Sequence, residues 1–161
     1  MSNGKILAAD YKHMAMLKFV GDVRVLMSST LDAYCQGLYR RAVLDAMVVD
    51  LSETTGVDST ALGLLAKMAI QLRNRFNVVP TVYSPKKDIS RILHSMSFDL
   101  IFNIEERPLK ENPAYHELKL QQETESSVRD KVIDAHLTLM TLSEENRLEF
   151  QDLVHSLKGQ P

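Results

Sequence analysis

Residues 46–51, with the sequence AMVVDL, form an apolar run that only Asp50 interrupts. The length of this run and its β-branched residues are typical of a strand that is buried on both faces of a sheet. Such a sheet needs helices to cover it, because its apolar surface must be removed from water. The run therefore restricts the chain to an α/β architecture.

Strand and helix patterns alternate on both sides of this run, up to about Glu106. Apolar runs predict five strands, over residues 5–9, 14–20, 46–51, 78–83 and 100–104. Gly21-Asp22 is predicted to end the second strand, and a short loop is predicted after the third. Apolar residues at helical spacing predict helices over about 29–41 and 61–75, and a third that opens at Ser84-Pro85. The resulting order, β-β-α-β-α-β-α-β, requires crossover helices.

The character of the chain changes after residue 106, where Pro108 and Pro113 interrupt it and residues 119–127 are polar. We predict one domain over residues 1–106, a linker or exposed helix over 107–127, and a helical extension over 128–161. A narrow apolar seam repeats through the extension at Val128, Val132, Ala135, Leu139 and Leu142. Thr141 with Glu144 fits a capping box for a last helix that carries Phe150, Leu153, Val154 and Leu157. The extension is thus predicted to be a helical hairpin.

Composition excludes several classes of protein. The chain has 161 residues and a formal net charge of −2, which argues against nucleic acid as its main partner. The lone cysteine, Cys35, rules out an internal disulfide and a Cys-rich zinc site, and is predicted to be a core residue. No apolar run is long enough to cross a bilayer, and the N-terminus lacks the pattern of a signal peptide. We therefore expect a soluble cytoplasmic protein with no membrane partner.

The motifs of common enzymes are absent from the sequence. It contains no Gly-x-Ser-x-Gly elbow, no Gly-rich phosphate loop and no dinucleotide fingerprint. The five histidines lack the spacing of a metal site, and we expect each of them at the surface or its rim and not as a ligand: His13, His94, His116, His136 and His155. Ser59 could be a nucleophile only beside a base, and the neighbouring sequence offers none. We predict no catalytic residue, no metal and no cofactor.

One segment nevertheless carries a chemical possibility, at Asp58-Ser59-Thr60, where the second helix begins. Backbone N–H groups at a helix N-terminus lack partners and carry a partial positive charge. A phosphate on Ser59 would meet these donors, so this serine could be phosphorylated without unfolding the helix. The alternative is that Asp, Ser and Thr stand here for capping alone, since they are the preferred N-cap residues.

The segment also resembles the signature of STAS domains of the bacterial anti-sigma factor antagonist type. That signature is an apolar strand ending in Asp-Leu-Ser, then an apolar residue, Asp-Ser-Ser/Thr, a small residue and Leu-Gly. Here it stands as Val49-Asp50-Leu51-Ser52 and Val57-Asp58-Ser59-Thr60-Ala61-Leu62-Gly63. The family's order of strands and helices is similar to that predicted for residues 5–106. The resemblance implies an α/β fold, a STAS-like mixed β-sheet covered by helices, here with an appended C-terminal helical hairpin.

The resemblance also implies a function as a phosphorylation switch at Ser59. In such proteins an anti-sigma factor, or a serine kinase with an ATP-binding kinase-type fold, phosphorylates the matching serine, and a PP2C-type phosphatase, alone or fused to a response regulator, removes the phosphate. The unmodified form binds the anti-sigma factor and frees a sigma factor. The residues expected at the partner surface are Asp22, Arg24, Asp58, Thr60, Gly63, Lys67 and Gln71.

The sequence departs from the family at Gly21-Asp22-Val23-Arg24, because many members have an aspartate where this chain has Arg24. Either kinase recognition differs here, or the guanidinium of Arg24 pairs with a phosphoserine.

Two further alternatives concern the partners. The chain could be a constitutive STAS accessory subunit that docks on a transporter ATPase. The C-terminal helices could cover the domain, pair in a homodimer, or offer a second docking face through the Val128–Leu142 seam.

Overall fold

The computed structural model describes residues 4–159, which contain a six-stranded mixed sheet. The strands are β1 Lys5–Tyr11, β2 Met14–Val23, β3 Ala46–Val57, β4 Thr81–Tyr83, β5 Asn103–Glu105 and β6 His116–Glu117. Their order across the sheet is β5-β4-β3-β2-β1-β6. The strands from β2 to β5 run parallel to one another, whereas β1 is antiparallel to both β2 and β6. The predicted mixed sheet is confirmed, with one more strand than expected, taken from residues 107–127.

Five α-helices accompany the sheet in residues 4–159. They are α1 Ser28–Tyr39, α2 Ser59–Phe76, α3 Lys87–Ser95, α4 Glu125–Met140 and α5 Glu144–Lys158. The predicted β-β-α-β-α-β-α-β order is confirmed up to β5, and α4 packs against α5 as the predicted hairpin.

The two faces of the sheet are covered differently. Leu17, Val49 and Val82 point from neighbouring strands into the core that α1, α2 and α3 complete. Cys35 lies in this core, as predicted. The residues that alternate with these along the strands point to the opposite face of the sheet. There they line a cavity of about 550 Å³, together with Leu109, Glu111, Asn112, Pro113 and Ala114. Helices thus cover one face, and part of an irregular segment covers the other.

Asp50, the single charge in the central apolar run, is almost fully buried and has partners for both carboxylate oxygens. Its Oδ1 accepts a hydrogen bond of 2.9 Å from the backbone N–H of Ser52. The Nζ of Lys18 lies 3.9 Å from its Oδ2 and also contacts the carboxylate of Glu53. These contacts allow a charge in the middle of a buried strand, since a buried charge is tolerated only when it is paired.

Two predicted loops turn out to be strand. β3 continues to Val57, so the short loop expected after Ser52 is absent, and β2 continues through Gly21-Asp22 to Val23. Gly21 has φ 75°, and the register between β2 and β3 shifts on either side of it. A glycine with positive φ makes a bulge inside a strand as readily as a turn at its end, and sequence cannot tell the two apart.

Two local predictions near helix ends are wrong. Pro85 lies two residues before the first residue of α3, Lys87, instead of within its first turn. Thr141 ends α4, and the N-cap of α5 is Ser143, whose side chain accepts from the backbone N–H of Asn146 at 3.1 Å. Both Thr141 and Ser143 suit a helix start, so only the position of the turn decides which one caps.

Candidate functional site

The start of α2 is held in place by Asp58, which is its N-cap residue; the sequence offered Asp58, Ser59 and Thr60 alike as capping residues. Asp58 Oδ1 accepts a hydrogen bond of 2.9 Å from the backbone N–H of Ala61. Asp58 Oδ2 accepts another, of 2.6 Å, from the backbone N–H of Val25, just beyond the end of β2. One carboxylate therefore caps the helix and ties it to the neighbouring strand. Ser59, as the first helical residue, is left free of the capping role.

The hydroxyl of Ser59 makes its hydrogen bond to a different helix. Its Oγ lies 2.7 Å from Nε2 of His136 on α4, and the serine side chain is only half-buried. The other ring nitrogen, Nδ1, lies 2.6 Å from the carbonyl oxygen of Val132. Because a carbonyl only accepts, Nδ1 carries a hydrogen, and in the neutral ring Nε2 accepts from Ser59.

His136 corrects two predictions made from the sequence. It is 2% exposed, so the expectation that every histidine lies at the surface or its rim is wrong for this one, whereas His13, His94, His116 and His155 are exposed. It also places an imidazole beside Ser59, where the neighbouring sequence offered no base.

A serine beside a histidine is the geometry of an activated nucleophile, but the surroundings favour a structural hydrogen bond. A catalytic histidine is normally oriented by a carboxylate, whereas a backbone carbonyl accepts from Nδ1 of His136. Neither the cavity of about 550 Å³ nor that of about 340 Å³ has Ser59 in its lining.

α2 and α4 cross in close contact at Gly63 and Ala135. A Cβ built on Gly63 would lie 2.3 Å from the carbonyl oxygen of Ala135, so the backbones could not approach this closely with any other residue at position 63. Asp134 and His136 reach out on either side of the crossing. Asp134 Oδ2 accepts a hydrogen bond of 2.6 Å from Nζ of Lys67, and His136 meets Ser59.

Asp22 and Arg24 form a pair close to the helix start. Arg24 Nε donates to Asp22 Oδ2 at 2.6 Å, and this bond with the aspartate charge raises the pKa of Arg24. The Arg24 side chain is 62% exposed. The other carboxylate oxygen, Asp22 Oδ1, is buried without a hydrogen-bond partner in residues 4–159.

The predicted partner-surface residues therefore differ in accessibility. Asp22, Asp58, Ser59 and Lys67 are half-buried, and Arg24 and Gln71 are exposed. Thr60 and Gly63 are buried, and Gly63 lies beneath α4. Their part in binding a partner stays a prediction. Sequence reasoning missed Asp134, Ala135 and His136 as neighbours of the motif; the apolar seam around Ala135 was the available signal, but it did not say what it packs on.

Comparisons with known proteins bear on the fold. The anti-sigma factor antagonist SpoIIAA, in its unphosphorylated form, matches with a TM-score of 0.52 and 11% identity, over 80% of this chain and 96% of that one. A protein of Thermotoga maritima described as an anti-sigma factor antagonist matches with a TM-score of 0.50 and 14% identity, over 61% of this chain and 83% of that one. The chain therefore has the STAS fold of SpoIIAA, as its sequence motif predicted.

No model of a protein family matches the sequence, and no curated protein matches it. Within residues 4–159, no helix is both long and apolar enough to cross a bilayer. The same residues contain no group of three or more His, Cys, Asp or Glu side chains placed to hold a metal ion.

Proposed function

We propose that the chain is an anti-sigma factor antagonist whose binding is controlled by phosphorylation of Ser59. The observation that carries this proposal is that Asp58 and Ser59 have different roles at the start of α2. Asp58 alone caps the helix, so the adjacent Ser59 hydroxyl is not needed for capping and remains half-exposed. The SpoIIAA-like fold supports the same conclusion.

In this proposal the unmodified form binds an anti-sigma factor, or a serine kinase with an ATP-binding kinase-type fold, and the phosphorylated form releases it. A PP2C-type phosphatase resets the switch. A phosphate adds about −1.5 to −2 charges at neutral pH, which an interface must then desolvate. If this costs about 2–5 kcal/mol, as for a disrupted buried polar contact, affinity falls roughly 30-fold to several thousand-fold. Arg24 is already paired with Asp22, so a phosphate would have to compete with that carboxylate.

The test is capture of partners from cells with immobilised chain, read by mass spectrometry. Ser59→Ala should retain an anti-sigma factor, and Ser59→Asp or the phosphorylated chain should lose it. Ser156→Asp, which adds the same charge at an exposed serine of α5, is the matched control and should bind as the native chain does. Equal capture by all forms would contradict the proposal.

The same preparation distinguishes the accessory-subunit alternative. Phosphate on Ser59 in protein taken from cells supports the switch. Capture of a transporter ATPase together with unmodified Ser59 under all growth conditions supports the constitutive subunit.

A further inference from the structure

The face of α2 that the proposed function uses is already occupied by α4. Ser59, Gly63 and Lys67 lie on successive turns of α2. Ser59 contacts His136 of α4, Gly63 contacts Ala135, and Lys67 contacts Asp134. Each contact is specific. The backbones of α2 and α4 approach at Gly63 more closely than any other residue would allow, and a side-chain hydrogen bond of 2.6–2.7 Å lies on each side of this crossing.

We propose that α4 stands in the place of the partner, so that the α4–α5 hairpin and the partner compete for one face of α2. This inference rests on the proposed function for its partner. The partner that fits is a helix with a small residue at the crossing with Gly63 and an acidic residue that reaches Lys67. This chemistry is read from α4, which is the helix seated on that face.

Release of the hairpin as a unit would break a limited set of contacts besides the α2–α4 crossing. Residues 118–124, which lead into α4, have neither helix nor strand, and Thr30 of α1 bonds to the backbone of Lys119 and Gln121 there. α5 is held to the end of α3 by Asn146, which donates to the carbonyl oxygen of Met96. α4 and α5 pack on each other, with the rings of His136 and Phe150 5.0 Å apart, so they can leave together. A partner then binds only the open fraction of molecules, and its apparent affinity is reduced by that fraction.

The closed form also restricts access to Ser59. Its Oγ is in hydrogen-bond contact with the buried His136, so a phosphate on this oxygen would displace that contact. The kinase and the partner therefore act on the same open form, and hairpin closure limits both.

The experiment measures amide hydrogen exchange of the full chain by mass spectrometry. Ala135→Leu forces a large side chain against Gly63, and Ala33→Leu, at an exposed site of α1, is the matched control. Overpacking at the crossing should make the amides of α4 and α5 exchange about ten- to a hundredfold faster, because undocked short helices are marginal in water. The amides of β2 and β3 should exchange as in the native chain, and the control should change neither set.

Two results would overturn the release of the hairpin. Acceleration of β2 and β3 by the same factor would show that the hairpin is an inseparable part of the core. No acceleration in α4 and α5 would show that the crossing is not tight. Neither result depends on phosphorylation or on a partner, so both leave the proposed function standing, whereas equal partner capture by the Ser59 variants would remove the function and leave the hairpin result intact.

The partner chemistry is tested with a fluorescent peptide of residues 124–158, added to the Ala135→Leu chain. The peptide should bind saturably, and several-fold more weakly when it carries Asp134→Lys, because Lys67 would then face a like charge. The peptide variant Asp130→Lys makes the same charge change at an exposed position and should bind like the native peptide. Absence of binding, or equal loss with both variants, would refute a helix of this chemistry as the occupant.

Discussion

At the scale of single residues, the start of α2 assigns a different task to each polar side chain. Both oxygens of Asp58 accept backbone N–H groups, one inside the helix and one from Val25. Ser59 contacts another helix through its hydroxyl instead of capping its own. Capping therefore accounts for Asp58 alone, and the Ser59 hydroxyl, which bonds to His136 on another helix, is not needed to begin α2.

Tyr34 gives a prediction at this scale. Its hydroxyl is buried with no hydrogen-bond partner in the described chain, and burial, followed by the charge of Asp10, raises its pKa. We expect Tyr34→Phe to leave the free energy of unfolding unchanged or raise it by about 1 kcal/mol, because an unsatisfied buried hydroxyl is costly. Urea denaturation measures this, with the exposed Tyr11→Phe as a control. A loss of more than about 1 kcal/mol would reveal a partner for the hydroxyl.

At the scale of elements, the hairpin is anchored at two points. α4 crosses α2 at Gly63, and α5 is fastened to the end of α3 by Asn146. The amide nitrogen of Asn146 donates to the carbonyl oxygens of Met96 and Leu139, both at 2.9 Å. Asn146 is almost fully buried, and this one side chain links the ends of two helices; the carbonyl oxygen of Leu139 also accepts from the backbone N–H of Leu142 at 3.1 Å.

Asn146 therefore gives a prediction for the hairpin. Asn146→Ala should lower the free energy of unfolding by about 1–3 kcal/mol, because it removes both hydrogen bonds of a buried amide. Asn146→Asp should cost more, since a carboxylate would face two carbonyl oxygens and cannot donate when ionised. Denaturation curves would show this order. Glu149→Ala, at an exposed site of α5, should change little, and equal stability of both Asn146 variants would contradict the assignment.

The elements themselves were largely predictable, and their ends were not. The central run at Ala46 predicts β3 because burial on both faces leaves a simple apolar signature. The predicted strand over 78–83 shortens to Thr81–Tyr83, and β6 was not foreseen at all. A two-residue strand such as His116–Glu117 has no pattern of its own; it exists because the edge of β1 offers backbone groups to pair with.

At the scale of the whole molecule, the chain is layered, with an irregular segment on one face of the sheet, helices on the other, and the hairpin outside α2. This arrangement buries Ala135 and Leu139, the centre of the predicted seam, against the rest of the same chain. The observed packing favours the reading in which the extension covers the domain. A homodimer through that seam would first require the hairpin to leave α2.

Burial across these layers predicts a dependence of stability on alkaline pH. Burial raises the pKa of Cys35 and of Tyr115 to about 12 each, and raises the pKa of Tyr34 and Tyr39 as well. In the unfolded chain these groups lose protons near pH 9 for Cys35 and pH 10 for the tyrosines. Their neutral forms thus contribute fully below about pH 9, and the free energy of unfolding should fall as pH rises from 9 towards 12.

Urea midpoints at intervals from pH 7 to pH 11.5 would measure this loss. Tyr39→Phe should reduce the slope above pH 10, because one group with a raised pKa is removed. The exposed Tyr11→Phe is the control and should keep the native slope. A flat profile up to pH 11.5 would contradict the burial of these groups.

Local patterns were enough to establish the α/β class, the order of the first eight elements and the start of a helix near Asp58-Ser59-Thr60, because each depends on residues close together in the chain. They could not show that His136 meets Ser59, that Asp134 pairs with Lys67 or that Gly63 lies against Ala135. Those contacts join residues about 70 positions apart, and they exist because the hairpin folds back onto α2. A seam of apolar residues indicates that a helix packs on another element, but only the tertiary structure shows which element that is.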